Sequence, residues 1–204
     1  MISGKKFDKI FFISGAYKDY KEILAGWVKP IARRIFNFLK NKPEPKVLDV
    51  GCGFGDLIAE LQDRYNFSVA GLEVSFFAIK KARASVKSKI KKGSILKLPF
   101  KKNSFDAVIC FDVIYYLTLK ETIRAIKNLI NISRDYIFFN SIYKNSIYAS
   151  QKENPDPLRI TVLSKKEYIN LFGQGGARLS GRFLEENGGE TLVFRKIKGN
   201  IKRR

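Results

Sequence analysis

Two acids bracket a glycine-rich turn in a way suited to a positively charged ligand. Asp49 stands two residues before Gly51, and Gly51, Gly53 and Gly55 alternate with Cys52 and Phe54. Glycine tolerates positive φ and has no Cβ, so a ligand can lie against the backbone of such a turn. A carboxylate beside it repels a pyrophosphate and attracts a cation, the more so in a partly dry cleft. Position 56, where a dinucleotide fingerprint would place its third glycine, is an aspartate. Glu73 follows 18 residues past Gly55. That is close to the spacing of about 20 at which an acid ending the next strand meets ribose hydroxyls.

A second group of candidates lies at Asp112, Tyr115 and Tyr116. The chain has no histidine, so any proton transfer must use Asp, Glu, Tyr, Lys or a held water. Asp112 is the first candidate base, followed by Tyr116 and Tyr115. A cofactor or structural contact is the slightly favoured alternative for Asp112. The two cysteines, Cys52 and Cys110, are too few for a disulfide framework and read as buried thiols of a cytoplasmic protein. No metal site is expected.

Elements that could position these residues are legible in the pattern. Val47 to Val50 is an apolar, β-branched strand that breaks at Gly51, and Asp56 to Leu61 resumes as a helix. Strand, glycine turn and helix place a ligand at the carboxyl end of a strand. A second strand is expected over 67–72, a basic helix over 76–88, a short edge strand over 90–95 and a central strand over 104–112. Thr118-Leu119-Lys120-Glu121 and Ser164-Lys165-Lys166-Glu167 are capping boxes that open helices. A strand is expected at 135–142, and two more at 177–184 and 190–196, joined through a turn at 185–189. The stretch 143–163 reads as a long loop of the kind that forms lids.

Ahead of the glycine turn, apolar residues from Tyr20 to Leu39 recur at helical spacing, with Pro30 expected to kink or divide the helix. Tyr17 and Tyr20 are candidates for covering a ligand. The domain reading is a single unit: an N-terminal helical cap (1–45), a core (46–197) and a basic tail (198–204).

With Asp49 included, Val47 to Leu57 resembles the first motif of class I S-adenosylmethionine (SAM) dependent methyltransferases. Gly93 to Phe100 resembles that family's Gly-Asp-Ala-x-x-Leu-Pro-Phe element, with Ser94 in place of the acid. Phe105-Asp106-Ala107-Val108-Ile109 resembles its central strand. The resemblance implies a Rossmann-like α/β fold, with a seven-stranded, mostly parallel sheet, helices on both faces and an antiparallel C-terminal hairpin. It also implies SAM as cofactor. Asp49, Gly51, Gly53 and the Phe111 carbonyl would hold the methionine end, with Cys52 and Gly55 in the same turn. Glu73 would hold the ribose, and Val74, Ser94 and Ile95 would surround the adenine.

The formal charge of +20 points to a phosphate-bearing partner, nucleic acid or an anionic membrane surface, or else to a lysine-rich surface with no such role. The basic residues cluster at Lys80 to Arg83, Lys87 to Lys92, Lys101-Lys102 and Lys196 to Arg204. No apolar run is long enough to span a bilayer. The first expectation is a methyltransferase acting at an O or N atom of a small-molecule or lipid-like acceptor. The alternatives are an RNA methyltransferase and a non-catalytic module that binds SAM or a partner. An NAD enzyme fits the turn poorly.

Overall fold

The computed structural model describes residues 6–13, 20–146, 149, 156–185 and 189–198, with backbone alone for 20–25. Tyr17, the side chain of Tyr20, part of the 143–163 loop, the centre of the 185–189 turn and the end of the basic tail lie outside the described residues. Among those described, seven strands form one sheet in the order β3-β2-β1-β4-β5-β7-β6. They are β1 (Lys46–Val50), β2 (Ser68–Glu73), β3 (Ile90–Lys92), β4 (Phe105–Phe111), β5 (Ser133–Asn140), β6 (Ala177–Leu184) and β7 (Glu190–Lys196). All neighbouring pairs up to β5 are parallel, and β7 runs antiparallel to both β5 and β6.

Strand alternation splits the core into two layers. Leu48, Val108, Cys110, Ile137, Phe139, Leu192 and Phe194 face one side. Val47, Ala107, Ile109, Phe111, Phe138 and Val193 face the other. Both faces of a mostly parallel sheet must be covered, because its strands are apolar on both sides. Helices α5 (Leu119–Ile132) and α6 (Lys165–Gly175) cover the first layer, while α2 (Tyr20–Leu39) and α3 (Asp56–Tyr65) cover the second. A short α1 (Lys9–Ile13) packs on α4 (Phe76–Lys80) at the end of the sheet where the parallel strands finish. Among the described residues, no helix is long and apolar enough to cross a membrane.

Several expectations change. Helix α2 is one unbroken helix with Pro30 inside it, not two helices. Instead of a helix over 76–88, α4 has a single turn and a half, followed by a 3-10 turn at Lys87–Lys89. The Arg83 amide donates to the Phe54 carbonyl and leaves the helical ladder. Like charges at Arg83 and Lys87, four apart, would also repel along a helix face. Strand β3 stops at Lys92, and β5 begins two residues early. Helix α6 runs through Gly173 to a left-handed cap at Gly176. Both capping boxes form as expected. On α5, Ile123 is 37% exposed, while Thr122 and Ala125 are buried.

Candidate active site

In the strand order, the chain proceeds outward from β1 to β3 and then crosses back to β4. Ligands of open α/β sheets bind at such a reversal, beyond the carboxyl ends of the two strands. A cavity of about 220 Å³ lies there. Its walls come from the β1 turn (Asp49 to Gly53), the end of β2 (Glu73, Val74), the segment after β3 (Gly93 to Ile95) and the end of β4 (Phe111 to Val113). Phe7, Phe11, Phe12 and Trp27 close it from the N-terminal part, with Tyr116 and Leu117.

The glycine turn is shaped by its contacts. Gly51 has φ +82°, and a Cβ there would fall 2.2 Å from Val113 Cγ2. Its amide donates to the Leu72 carbonyl at 2.7 Å, tying the turn to β2. Glu73 holds the turn from the other side: its carboxylate accepts from the amides of Gly53 (2.9 Å), Val74 (2.8 Å) and Ser75 (2.8 Å). A carboxylate has about four acceptor positions, so three amides leave capacity for a ligand hydroxyl. Burial raises the Glu73 pKa, and the three amide bonds oppose that rise.

The Asp49 carboxylate accepts no hydrogen bond among the described residues, and the residue is 5% exposed. Burial, with the charge of Glu73 beside it, pushes its pKa up to about 7. A buried, unpaired carboxylate in a cavity wall is costly unless a cation arrives to compensate it. Asp112 sits just past β4 with φ +54°, a left-handed conformation that Asp adopts more readily than most residues. Its pKa is also pushed up to about 7, by burial and then by Glu185, against a hydrogen bond from Tyr115 and the charge of Arg159. Within a chain of large positive net charge, Asp49, Asp56, Glu73 and Asp112 thus line one cavity.

The structure brings Asp49, Gly51, Cys52, Gly53, Glu73, Val74, Ser94, Ile95, Phe111, Asp112 and Tyr116 to the cavity wall, whereas Gly55 and Tyr115 lie behind it. Gly55 is the N-cap of α3, and its Cα faces Val86 and Ile90. Tyr115 is 1% exposed and packs against Tyr116 at 4.5 Å. The Ser94 hydroxyl accepts from the Leu96 amide at 3.2 Å, so it closes its own turn. Cys52 and Cys110 are both free and buried, with thiol pKa values raised by that burial.

Three features escaped the sequence reading. Glu185, read there as a turn residue, is buried. It accepts from Trp27 Nε1 (2.6 Å), Thr191 Oγ1 (2.7 Å) and the Asn140 amide. Asp156 is 3% exposed and accepts from the Tyr116 hydroxyl at 2.7 Å, pinning the returning loop beneath the cavity. Phe7 and Phe11 meet the Tyr116 ring edge-on at 4.9 and 6.1 Å. The aromatic content of 1–17 was the one available signal for that wall.

Comparisons with known proteins agree with this architecture. Residues 47–135 match the model of a family described as a methyltransferase domain. The chain is 34% identical over 125 residues to an uncharacterized protein of Methanocaldococcus jannaschii, covering 59% of this chain and 53% of that one. It is 37% identical over 78 residues to a sterol 24-C-methyltransferase of Gibberella zeae, covering 35% of this chain and 20% of that one. The chain therefore spans about half the length of the first relative and much less of the second. Its fold matches the magnesium protoporphyrin IX methyltransferase of Synechocystis with bound SAH, the demethylated product of SAM. The TM-score is 0.71 at 16% identity, over 91% of this chain and 95% of that one.

The donor set fits SAM on this structure's own terms. Asp49, buried and without a side-chain hydrogen bond among the described residues, suits a cation; the Cβ-free turn leaves its backbone open, and Glu73 has acceptor capacity to spare. The sheet order, the cavity at its reversal and the match over residues 47–135 give this chain the fold of class I SAM-dependent methyltransferases, with a methyltransferase-domain sequence over that stretch.

Proposed function

We propose that the chain methylates an O or N atom of a small, lipid-like acceptor. The observation that carries this reading is the contrast between the two walls of the cavity. One wall is polar, with Asp49, Glu73 and the open glycine backbone; the other is aromatic, with Phe7, Phe11, Trp27 and Tyr116. The polar wall suits a cationic nucleoside cofactor and the aromatic wall an apolar acceptor, for which rings supply large contact area.

Bound there, SAM supplies an electrophilic methyl group. The residues of the chain do the rest. Asp49 places negative charge opposite the ligand cation, and Glu73 orients hydroxyls while bracing the turn. Phe7, Phe11 and Phe12 exclude water from the mouth, so that alignment rather than further activation is the main task of the protein. Asp112 also lines the cavity, with its pKa pushed up to about 7, where a carboxylate can take a proton from an acceptor hydroxyl or ammonium. The Tyr115 hydroxyl bond to Asp112 fixes the orientation of that carboxylate.

Calorimetric titration with SAM, SAH and NAD tests the cofactor half. SAM and SAH are expected to bind and NAD to fail. Turnover of radiolabelled SAM on apolar alcohols and amines tests the acceptor half. Binding of SAM with no transfer to any acceptor would favour a non-catalytic SAM-binding module instead.

A further inference from the structure

We propose that the outer face of α1 and α4 docks on an anionic membrane surface and opens the cavity toward it. The proposal rests on the reading of an apolar acceptor given above and adds where that acceptor comes from. Helix α1 has two sides. Phe11 and Phe12 turn inward to wall the cavity, while Ile10 and Ile13 point out, 67% and 52% exposed. Beside them Phe76, the first residue of α4, is 65% exposed. The two elements are joined: the Ser75 hydroxyl donates to the Phe7 carbonyl, and the Phe12 and Phe77 rings lie 6.0 Å apart. Three large apolar side chains therefore stand out from the rim of an apolar cavity.

Charge decides what covers this rim. From Phe76 to Lys92 the chain carries no acid. Lys80, Lys81, Lys91 and Lys92 are exposed there, and Lys92 Nζ lies 5.6 Å from the Phe76 ring centre. Lys6 and Lys9 add to the α1 side. The acids nearby are engaged: Asp8 accepts from the amides of Ile10 and Phe11, and Asp56 pairs with Arg83. Protruding apolar residues ringed by lysines match a bilayer interface, where the former enter the headgroup region and the latter meet anionic lipid. An RNA backbone would use the lysines but gains nothing from Ile10 and Ile13.

The test is flotation of the full chain with phosphatidylcholine vesicles, with and without phosphatidylglycerol. SAH titration of each sample runs in parallel. The wild type is expected to float with the anionic vesicles only, and less so in high salt. Ile10→Ser with Ile13→Ser, and separately Lys80→Glu with Lys81→Glu, should each reduce partitioning by about tenfold while SAH affinity is kept. Flotation without SAH binding would leave the membrane surface standing and remove the cofactor reading. Failure to float with anionic vesicles would overturn the proposal. So would flotation indifferent to the isoleucine pair, or single-stranded RNA binding that survives that pair's loss and competes the vesicles away.

Discussion

The two walls of the cavity are assembled over very different distances along the chain. The polar wall, which we propose for the cofactor, is built mainly within 47–73. There a strand, its glycine turn, a helix and the next strand are consecutive, and the Gly53–Glu73 bond spans 20 residues. The acceptor wall is gathered from the whole chain. Trp27 bonds Glu185 across 158 residues, Phe7 meets Ser75 across 68, Asn140 meets Glu185 across 45 and Tyr116 meets Asp156 across 40. The first wall depends on local backbone geometry, and the second on how separate elements pack.

The sharpest way to break this division is at Gly51. Gly51→Ala meets both a left-handed φ and the Val113 side chain. It should cost about 3 kcal/mol of stability and abolish SAH binding. Pairing it with Val113→Ala should recover the clash but not the backbone strain, which a double-mutant cycle of thermal melts would resolve. Next in size is Glu185→Ala. It orphans the Trp27, Asn140 and Thr191 donors and should cost about 2–3 kcal/mol. SAH affinity should nevertheless change little, because only the acceptor wall loosens. If SAH binding falls as steeply as stability, the two walls are one unit and the comparison fails.

A smaller effect is expected at Asp49. Asp49→Asn should weaken SAM binding on the order of tenfold, as the loss of a charged contact does. It should also flatten the pH dependence of binding. In the wild type, SAM affinity should rise with pH as Asp49 ionises near pH 7. Stability of the unliganded protein should run the opposite way. Asp49 and Asp112 have folded pKa values of about 7, above the ordinary 3.8. Their contribution is thus full below about pH 4 and is lost as pH rises through about 7. Chemical denaturation at a series of pH values reads that slope. The smallest change is Tyr116→Phe, which removes one hydrogen bond to Asp156 and should cost about 1 kcal/mol, with cofactor affinity intact.

The legibility of the molecule follows the same division. Val47 to Val50 announces a buried strand because burial on both faces demands continuous apolar residues. Gly51 and Gly53 announce the turn because few other residues tolerate its φ. The two capping boxes mark the starts of α5 and α6 because their bonds close within four residues. The helix expected over 76–88 failed for the converse reason. Its continuation depends on where the Arg83 amide finds a carbonyl, and that carbonyl belongs to Phe54, far back in the chain. Glu185 looked like an ordinary turn acid, since nothing adjacent to it reveals Trp27 or Asn140.

By itself, then, the sequence marked most of the strands and helices, the glycine turn and the positions of Asp49 and Glu73, because each is written in periodicity or in short-range backbone chemistry. Only the tertiary structure decided that Phe7, Phe11 and Trp27 close the cavity, that Glu185 and Asp156 brace it from behind, and that Ile10, Ile13 and Phe76 share its outer rim. Those pairings join residues tens to more than a hundred positions apart. Their partners are chosen by packing, which no local pattern encodes.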